Sequence, residues 1–138
     1  MQTRSIRTLA WLGDAAFELD VRQRLCSRGD YPTDRLDAMK ADIVCARCQA
    51  ELLTHLEPHL DEDEAAIVRR GRNTSIGRKS GGRTDVRTHR SATGFEALLG
   101  HWLELDDGRA RYDALLLPHL ERVIDAAVTR RATKLRRG

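Results

Sequence analysis

From Ser5 to about Arg28 the apolar residues Ile6, Leu9, Leu12, Ala16, Phe17, Leu19, Val21 and Leu25 recur mostly at steps of three and four. That spacing predicts one long amphipathic helix, with Gly29 as its stop. Beyond Pro32, Thr33 or Asp34 can cap a second stretch carrying Leu36, Met39, Ile43, Val44, Leu52, Leu53 and Leu56 before Pro58 ends it. Its length predicts a bend or two helices. Asp61 to Glu64 then sets four consecutive acids where the positive end of a helix dipole favours them, with Ile67 and Val68 facing inward and Gly71 at the end. A further helix is expected from about Asp85 or Ser91 to Leu105, and Asp106-Asp-Gly108 separates it from a last one near Arg109 to Thr129. Alternating β-branched runs longer than about four residues are missing, so the expected fold class is all-α.

Length and composition narrow this picture. A chain of 138 residues suits a single domain over 1–138. Apolar residues make up 41% of it but only six are aromatic, so the core must be built mainly from Leu, Ala, Val and Ile. No apolar run reaches a membrane-spanning length, and the N-terminal segment carries acids where a secretory leader needs an apolar stretch. The expectation is a cytoplasmic protein. Three cysteines are too few for a disulfide framework. Cys45 and Cys48 form a lone CxxC without a second pair, and the histidines show no ligand spacing beyond His55 and His59, so core packing is the better reading of the cysteines.

Charge is divided along the chain. Residues 1–68 carry 8 basic and 13 acidic side chains, whereas residues 69–138 carry 16 and 8. The bases Arg69, Arg70, Arg72, Arg78, Lys79, Arg83, Arg87 and Arg90 crowd into a segment with Asp85 as its only acid. Residues 73–84, NTSIGRKSGGRT, have three glycines and no periodicity, which predicts a basic surface loop over about 69–90. A second basic cluster forms a C-terminal tail over 130–138. Dense cations gain affinity by displacing counterions from phosphates, so the loop is expected to bind a nucleic acid through these bases and Asn73.

Two helical segments carry more than packing information. Gly13 and Asp14 interrupt an otherwise apolar stretch, and Gly94 and Gly100 flank Glu96 in another. Gly costs about 1 kcal/mol relative to Ala inside a helix, and a carboxylate among apolar neighbours needs a partner or a metal. Two helices meeting at their glycines would bring Asp14 and Glu96 together.

These segments resemble a known family. LAWLGDAAFELDVR (Leu9 to Arg22) is similar to the first signature helix of the ribonuclease III catalytic domain, and TGFEALLGHWLEL (Thr93 to Leu105) to the second. Between them, VRRGRN (Val68 to Asn73) and TDVRTHRSATGFE (Thr84 to Glu96) resemble the bacterial Mini-ribonuclease III branch, which lacks the double-stranded-RNA-binding domain. The resemblance implies an all-α, homodimeric, Mg²⁺-dependent endonuclease, with Mn²⁺ as a substitute, that cuts both strands of an RNA duplex. Its implied role is maturation of the large-subunit ribosomal RNA precursor; whether a ribosomal protein assists is left open. Asp14 and Glu96 match the closing acids of the two signature helices and would be both the catalytic and the metal-binding residues. The family's two earlier acid positions are Ala10 and Thr93 here, and neither is a carboxylate. Glu18, one turn after Asp14, is better explained by an i,i+4 pair with Arg22. The dimer face is expected on the first helix at Leu9, Leu12, Ala16 and Phe17. The alternative is a non-catalytic duplex-RNA-binding or ribosome-associated protein of the same fold.

Overall fold

A computed structural model describes residues 4–74 and 85–137, and every regular element among them is helical. The long helices are α1 (Ile6–Arg28), α2 (Thr33–Val44), α3 (Ala46–Leu56), α4 (Glu62–Asn73) and α5 (Asp85–Leu103). A short α6 (Gly108–Arg111) leads through a π-helical turn, Tyr112–Leu116, into α7 (Leu117–Arg137). The π turn ends one residue short of Pro118, which lacks the N–H that an α turn requires, and the Leu117 amide reaches back to the Tyr112 carbonyl. Among the described residues no helix is long and apolar enough to cross a membrane.

The first-turn chemistry follows the sequence. Ser5 caps α1 through its side chain, which accepts from the Thr8 amide at 3.1 Å. Asp61 and Glu64 close a capping box at the start of α4, at 2.8 and 2.9 Å. The second apolar stretch does divide, at Cys45 between α2 and α3, so this residue is a helix boundary rather than mid-helix. Cys48 behind it is buried, and burial pushes its thiol up to about 12, which makes it an inert core side chain.

α5 is the axis of the fold, packed on α1, α3 and α4. Phe17 of α1 and Phe95 of α5 are fully buried and meet edge to face at 5.1 Å. Leu25, Met39, Ile43, Leu52, Leu53, Leu56, Leu98, Leu116, Leu120 and Ile124 complete an aliphatic core. α7 is tied on by charge: Arg24 bridges Asp20 at 3.0 Å and Glu121 at 2.9 Å, and Arg130 and Arg131 both bind Asp42 of α2.

Two boundaries differ from the sequence reading. Of the span 69–90 expected as loop, Arg69–Asn73 form the end of α4 and Asp85–Arg90 the start of α5. Their Arg-rich composition hides the helical period because the solvent face of a helix can be basic throughout. Residues 75–84, with Arg78, Lys79 and Arg83, lie outside the described residues. The tail is the other case: α7 continues to Arg137, and its first two tail cations, Arg130 and Arg131, are committed to Asp42.

α1 and α5 touch backbone to backbone. A Cβ added at Gly13 would lie 1.9 Å from the Glu96 carbonyl oxygen, and one at Gly100 would lie 2.0 Å from that of Leu9. No side chain can yield there, because the obstructing atoms are main chain. Gly71 of α4 likewise lies on Gly94 of α5, where a Cβ would come within 2.7 Å of the Gly94 Cα. Gly100→Ala must therefore push α1 away from α5. Overpacking costs about 1–3 kcal/mol, against a helix-propensity gain of about 1 kcal/mol. A lowered thermal midpoint is expected, about 2–4 °C per net kcal/mol. An unchanged or raised midpoint in calorimetry would contradict this contact.

Candidate active site

The glycine contacts decide where the acids sit. Gly13 precedes Asp14 on α1 and rests on the main chain of Glu96, so the two carboxyl groups face each other across the helix pair and share a hydrogen bond. Asp14 is exposed and Glu96 partly buried, so the pair lies at the rim of the core rather than inside it as the apolar surroundings suggested. Withdrawal from water and the facing Asp14 charge together push the Glu96 carboxyl up to about 8, while a hydrogen bond from Gln49 acts the other way. A cleft of about 360 Å³ opens beside Glu96, lined by Arg7, Ala10, Trp11, Thr93 and Glu96.

Ala10 and Thr93 leave this cleft without further carboxylates. The Thr93 hydroxyl donates to the His89 carbonyl of its own helix at 3.0 Å. Glu18 is held by Arg22 at 2.6 Å and Lys40 at 3.2 Å, and these partners, Arg22 foremost, keep its carboxyl below its usual value. It is a structural ion-pair residue. Among the described residues no cluster of three or more His, Cys, Asp and Glu could hold a metal. His55, the one histidine with a ligand-like neighbour in sequence, stacks instead on His119 at 4.5 Å. Two facing carboxylates, one resisting ionisation beside the other, still present the donor chemistry of a hard divalent ion that keeps most of its waters.

The Gly71–Gly94 contact brings the basic end of α4 beside the same site, since Gly94 is two residues from Glu96. Arg69, Arg70 and Asn73 are exposed there, as are Arg87 and Arg90 on α5. Arg72 is partly committed, to Glu57 at 2.7 Å and Ser91 at 3.4 Å. A second groove, of about 500 Å³, is lined by Ser5, Ile6, Arg7, Arg70, Asn73 and Thr74. Arg7 borders both hollows and was missed in the sequence, where it reads only as one polar position of α1. Gln49 was missed as well: it is 2% exposed, and nothing in its local sequence distinguishes it from a surface residue of α3.

Of the four residues expected at a dimer face, Leu12 and Ala16 are half-buried. Leu9 and Phe17 are absorbed into the protein's own core, at 4% and 0% exposure, because α5 covers that side of α1. Trp11 and Leu19 of α1, with Leu103 and Leu105, are the large apolar side chains left exposed near it.

An all-α fold thus sets a carboxylate pair between two helices and flanks it with basic helix ends. Residues 7–108 match the Ribonuclease III domain model, and the chain belongs to that family, which makes it an endoribonuclease by class. It is 46% identical over 101 residues to Mini-ribonuclease 3 of Desulfitobacterium hafniense, covering 73% of this chain and 63% of that protein. It is 44% identical over 112 residues to Mini-ribonuclease 3 of Gloeobacter violaceus, covering 79% and 78%. In three dimensions it is similar to the crystal structure of protein FN1578 from Fusobacterium nucleatum, with a TM-score of 0.64, 25% identity, and 93% and 94% of the two chains covered.

The acid pair yields a pH signature. The folded, cation-free protein holds the Glu96 proton up to about 8, against 4.5 for an unperturbed group. That contribution to stability is full below the unfolded value and is lost as pH rises through the folded one. In EDTA, the thermal midpoint should fall between about pH 4.5 and pH 8 more steeply for the wild type than for Glu96→Gln, and Mg²⁺ should remove the difference. Equal slopes for the two proteins would contradict the placement of the pair.

Proposed function

We propose that the protein is a divalent-cation-dependent endoribonuclease that cleaves double-stranded RNA, with Mg²⁺ as its ion and Mn²⁺ as a substitute. The observation that carries this reading is the Asp14–Glu96 pair, a costly arrangement for an apolar helix crossing unless a cation occupies it. The relatives' printed name, Mini-ribonuclease 3, supports the reaction class. Maturation of a large-subunit ribosomal RNA precursor in the cytoplasm is the role we infer for it.

Asp14 and Glu96 would hold the ion. When bound, the ion supplies Lewis acidity, favouring ionisation of an attacking water and offsetting the charge that builds on the phosphate. Asp14, being exposed, keeps the pair open to solvent and to a phosphodiester, whereas Glu96 is fixed by its position on α5. Arg69, Arg70, Asn73, Arg87 and Arg90, with Arg7 between the two hollows, supply cations and hydrogen bonds to the backbones of an A-form duplex. Such contacts read shape and phosphate spacing rather than sequence. Arg78, Lys79 and Arg83, which lie outside the described residues, are proposed RNA contacts as well. One acid pair serves one strand, so we further propose a homodimer, joined through the apolar side of α1 where Trp11 and Leu19 stand exposed.

Incubation with a long RNA duplex and Mg²⁺ tests the reading. Wild-type protein should cut it into short fragments, and EDTA should stop the reaction. Asp14→Asn and Glu96→Gln should each lose cleavage by at least about 10²-fold, the scale of removing one group that stabilises transition-state charge, while retaining fold and duplex affinity. Undiminished cleavage in both variants would refute the site. In an Asp14→Asn background, Arg69→Ala with Arg70→Ala should weaken duplex binding and flatten its log–log salt dependence by about 0.7–0.9 per lost phosphate contact. Unchanged affinity and slope would place the duplex elsewhere on the protein.

A further inference from the structure

Gln49 sits inside the core beside the acid pair, a buried amide among apolar neighbours. It is 2% exposed and shares its helix face with Leu52, Leu53 and Leu56. Its Nε2 donates to the Val44 carbonyl at 3.1 Å, across the Cys45 break between α2 and α3. Its side chain also hydrogen-bonds Glu96. The remaining amide atom, Oε1, is buried without a partner.

These neighbours fix the orientation of the amide. The Val44 carbonyl is an acceptor, and so is an ionised Glu96, so only the NH₂ end can satisfy both, one hydrogen to each. Rotating the group would set an oxygen against two other oxygens. The Val44 carbonyl thus acts as an anchor, because it lies at the end of α2, where the last carbonyls have no partner within their own helix. An amide held at one hydrogen by main chain presents the other in a fixed direction. A buried polar atom left unpaired is costly, and Gln49 carries such an atom, Oε1, beside the one carboxylate of the site that is partly withdrawn from water.

We propose that Gln49 is the positioning residue for Glu96. It holds one carboxylate oxygen by a hydrogen bond anchored to the α2–α3 break, and so turns the other toward Asp14 and the divalent cation that the pair would hold. This rests on the reading of the acid pair as the metal site. Residues that orient metal ligands in this way are commonly worth 10–100-fold in metal affinity.

The test uses Gln49→Met, which preserves length and bulk and removes the amide, with Mn²⁺ as the probe in titration calorimetry and Mg²⁺ titrations of duplex cleavage beside it. The expected result is a folded protein whose Mn²⁺ affinity drops by about 10-fold or more, with the Mg²⁺ requirement for cleavage shifted by a similar factor and the KM for duplex RNA within twofold. In a Glu96→Gln background the same substitution should weaken Mn²⁺ binding no further, since Gln49 acts through Glu96. Should Gln49→Met fail to fold, Gln49→Asn keeps an amide but shortens its reach by one methylene, and the same loss of Mn²⁺ affinity is expected. A lowered thermal midpoint with unchanged Mn²⁺ affinity would overturn the proposal, leaving Gln49 a structural cap of the helix break. Failure of the wild type itself to bind Mn²⁺ or cut duplex RNA would instead overturn the reading of the acid pair.

Discussion

The site depends on one contact, the meeting of α1 and α5 at main-chain distance. Gly13 and Gly100 leave no room for a Cβ on either helix, and this lack of side chains lets Asp14 approach Glu96. Each glycine costs helix propensity, about 1 kcal/mol relative to Ala. What offsets that cost is the burial the close approach permits, with Phe17 packed on Phe95 one turn further along. The stability of the crossing and the geometry of the acids are therefore one property of the fold. Gly71 on Gly94 repeats the device on the other side of α5 and brings the basic end of α4 to the same place.

Two glutamates near α5 show how surroundings assign opposite behaviour to one side chain. Glu64 is 2% exposed, yet Trp102 Nε1 and Arg111 Nε donate to it at 2.8 Å each, and with its capping-box bond these donors hold its carboxyl down to about 2 despite burial. It is a finished structural group, ionised and fully paired. Glu96 is less buried but faces another acid, and its carboxyl is pushed up to about 8. The first group is complete within the chain; the second, on the proposed reading, is completed by a cation from outside it. A cation at the second site would convert an electrostatic cost into a binding determinant, and Gln49 would then fix which way the carboxylate points.

Much of this was legible in the sequence. The three- and four-residue spacing marks α1 and the core faces of α2 through α5, and a glycine beside an acid in two apolar helices points to the crossing. Glu18 could be assigned to Arg22 from their i,i+4 spacing, and the start of α4 at its four acids, Asp61 to Glu64, from the helix dipole. The features that were missed are tertiary. Glu64 meets Trp102 and Arg111 far along the chain, and Gln49 is buried only because α5 crosses α3 above it. The last two residues of α4 were hidden for another reason, and the start of α5 was left between Asp85 and Ser91: the solvent faces there are as basic and polar as the segment that joins them. On α1, counting apolar residues could not distinguish Leu9 and Phe17, which α5 covers, from Trp11 and Leu19, which remain exposed.

The most direct measurement is anomalous diffraction from crystals of the protein grown with Mn²⁺. The account predicts a peak between the carboxylates of Asp14 and Glu96, with the hydrogen bond between them replaced by two metal–oxygen contacts. Mn²⁺ bound elsewhere, with Asp14 and Glu96 still hydrogen-bonded to each other at ion concentrations that support RNA cleavage, would contradict it.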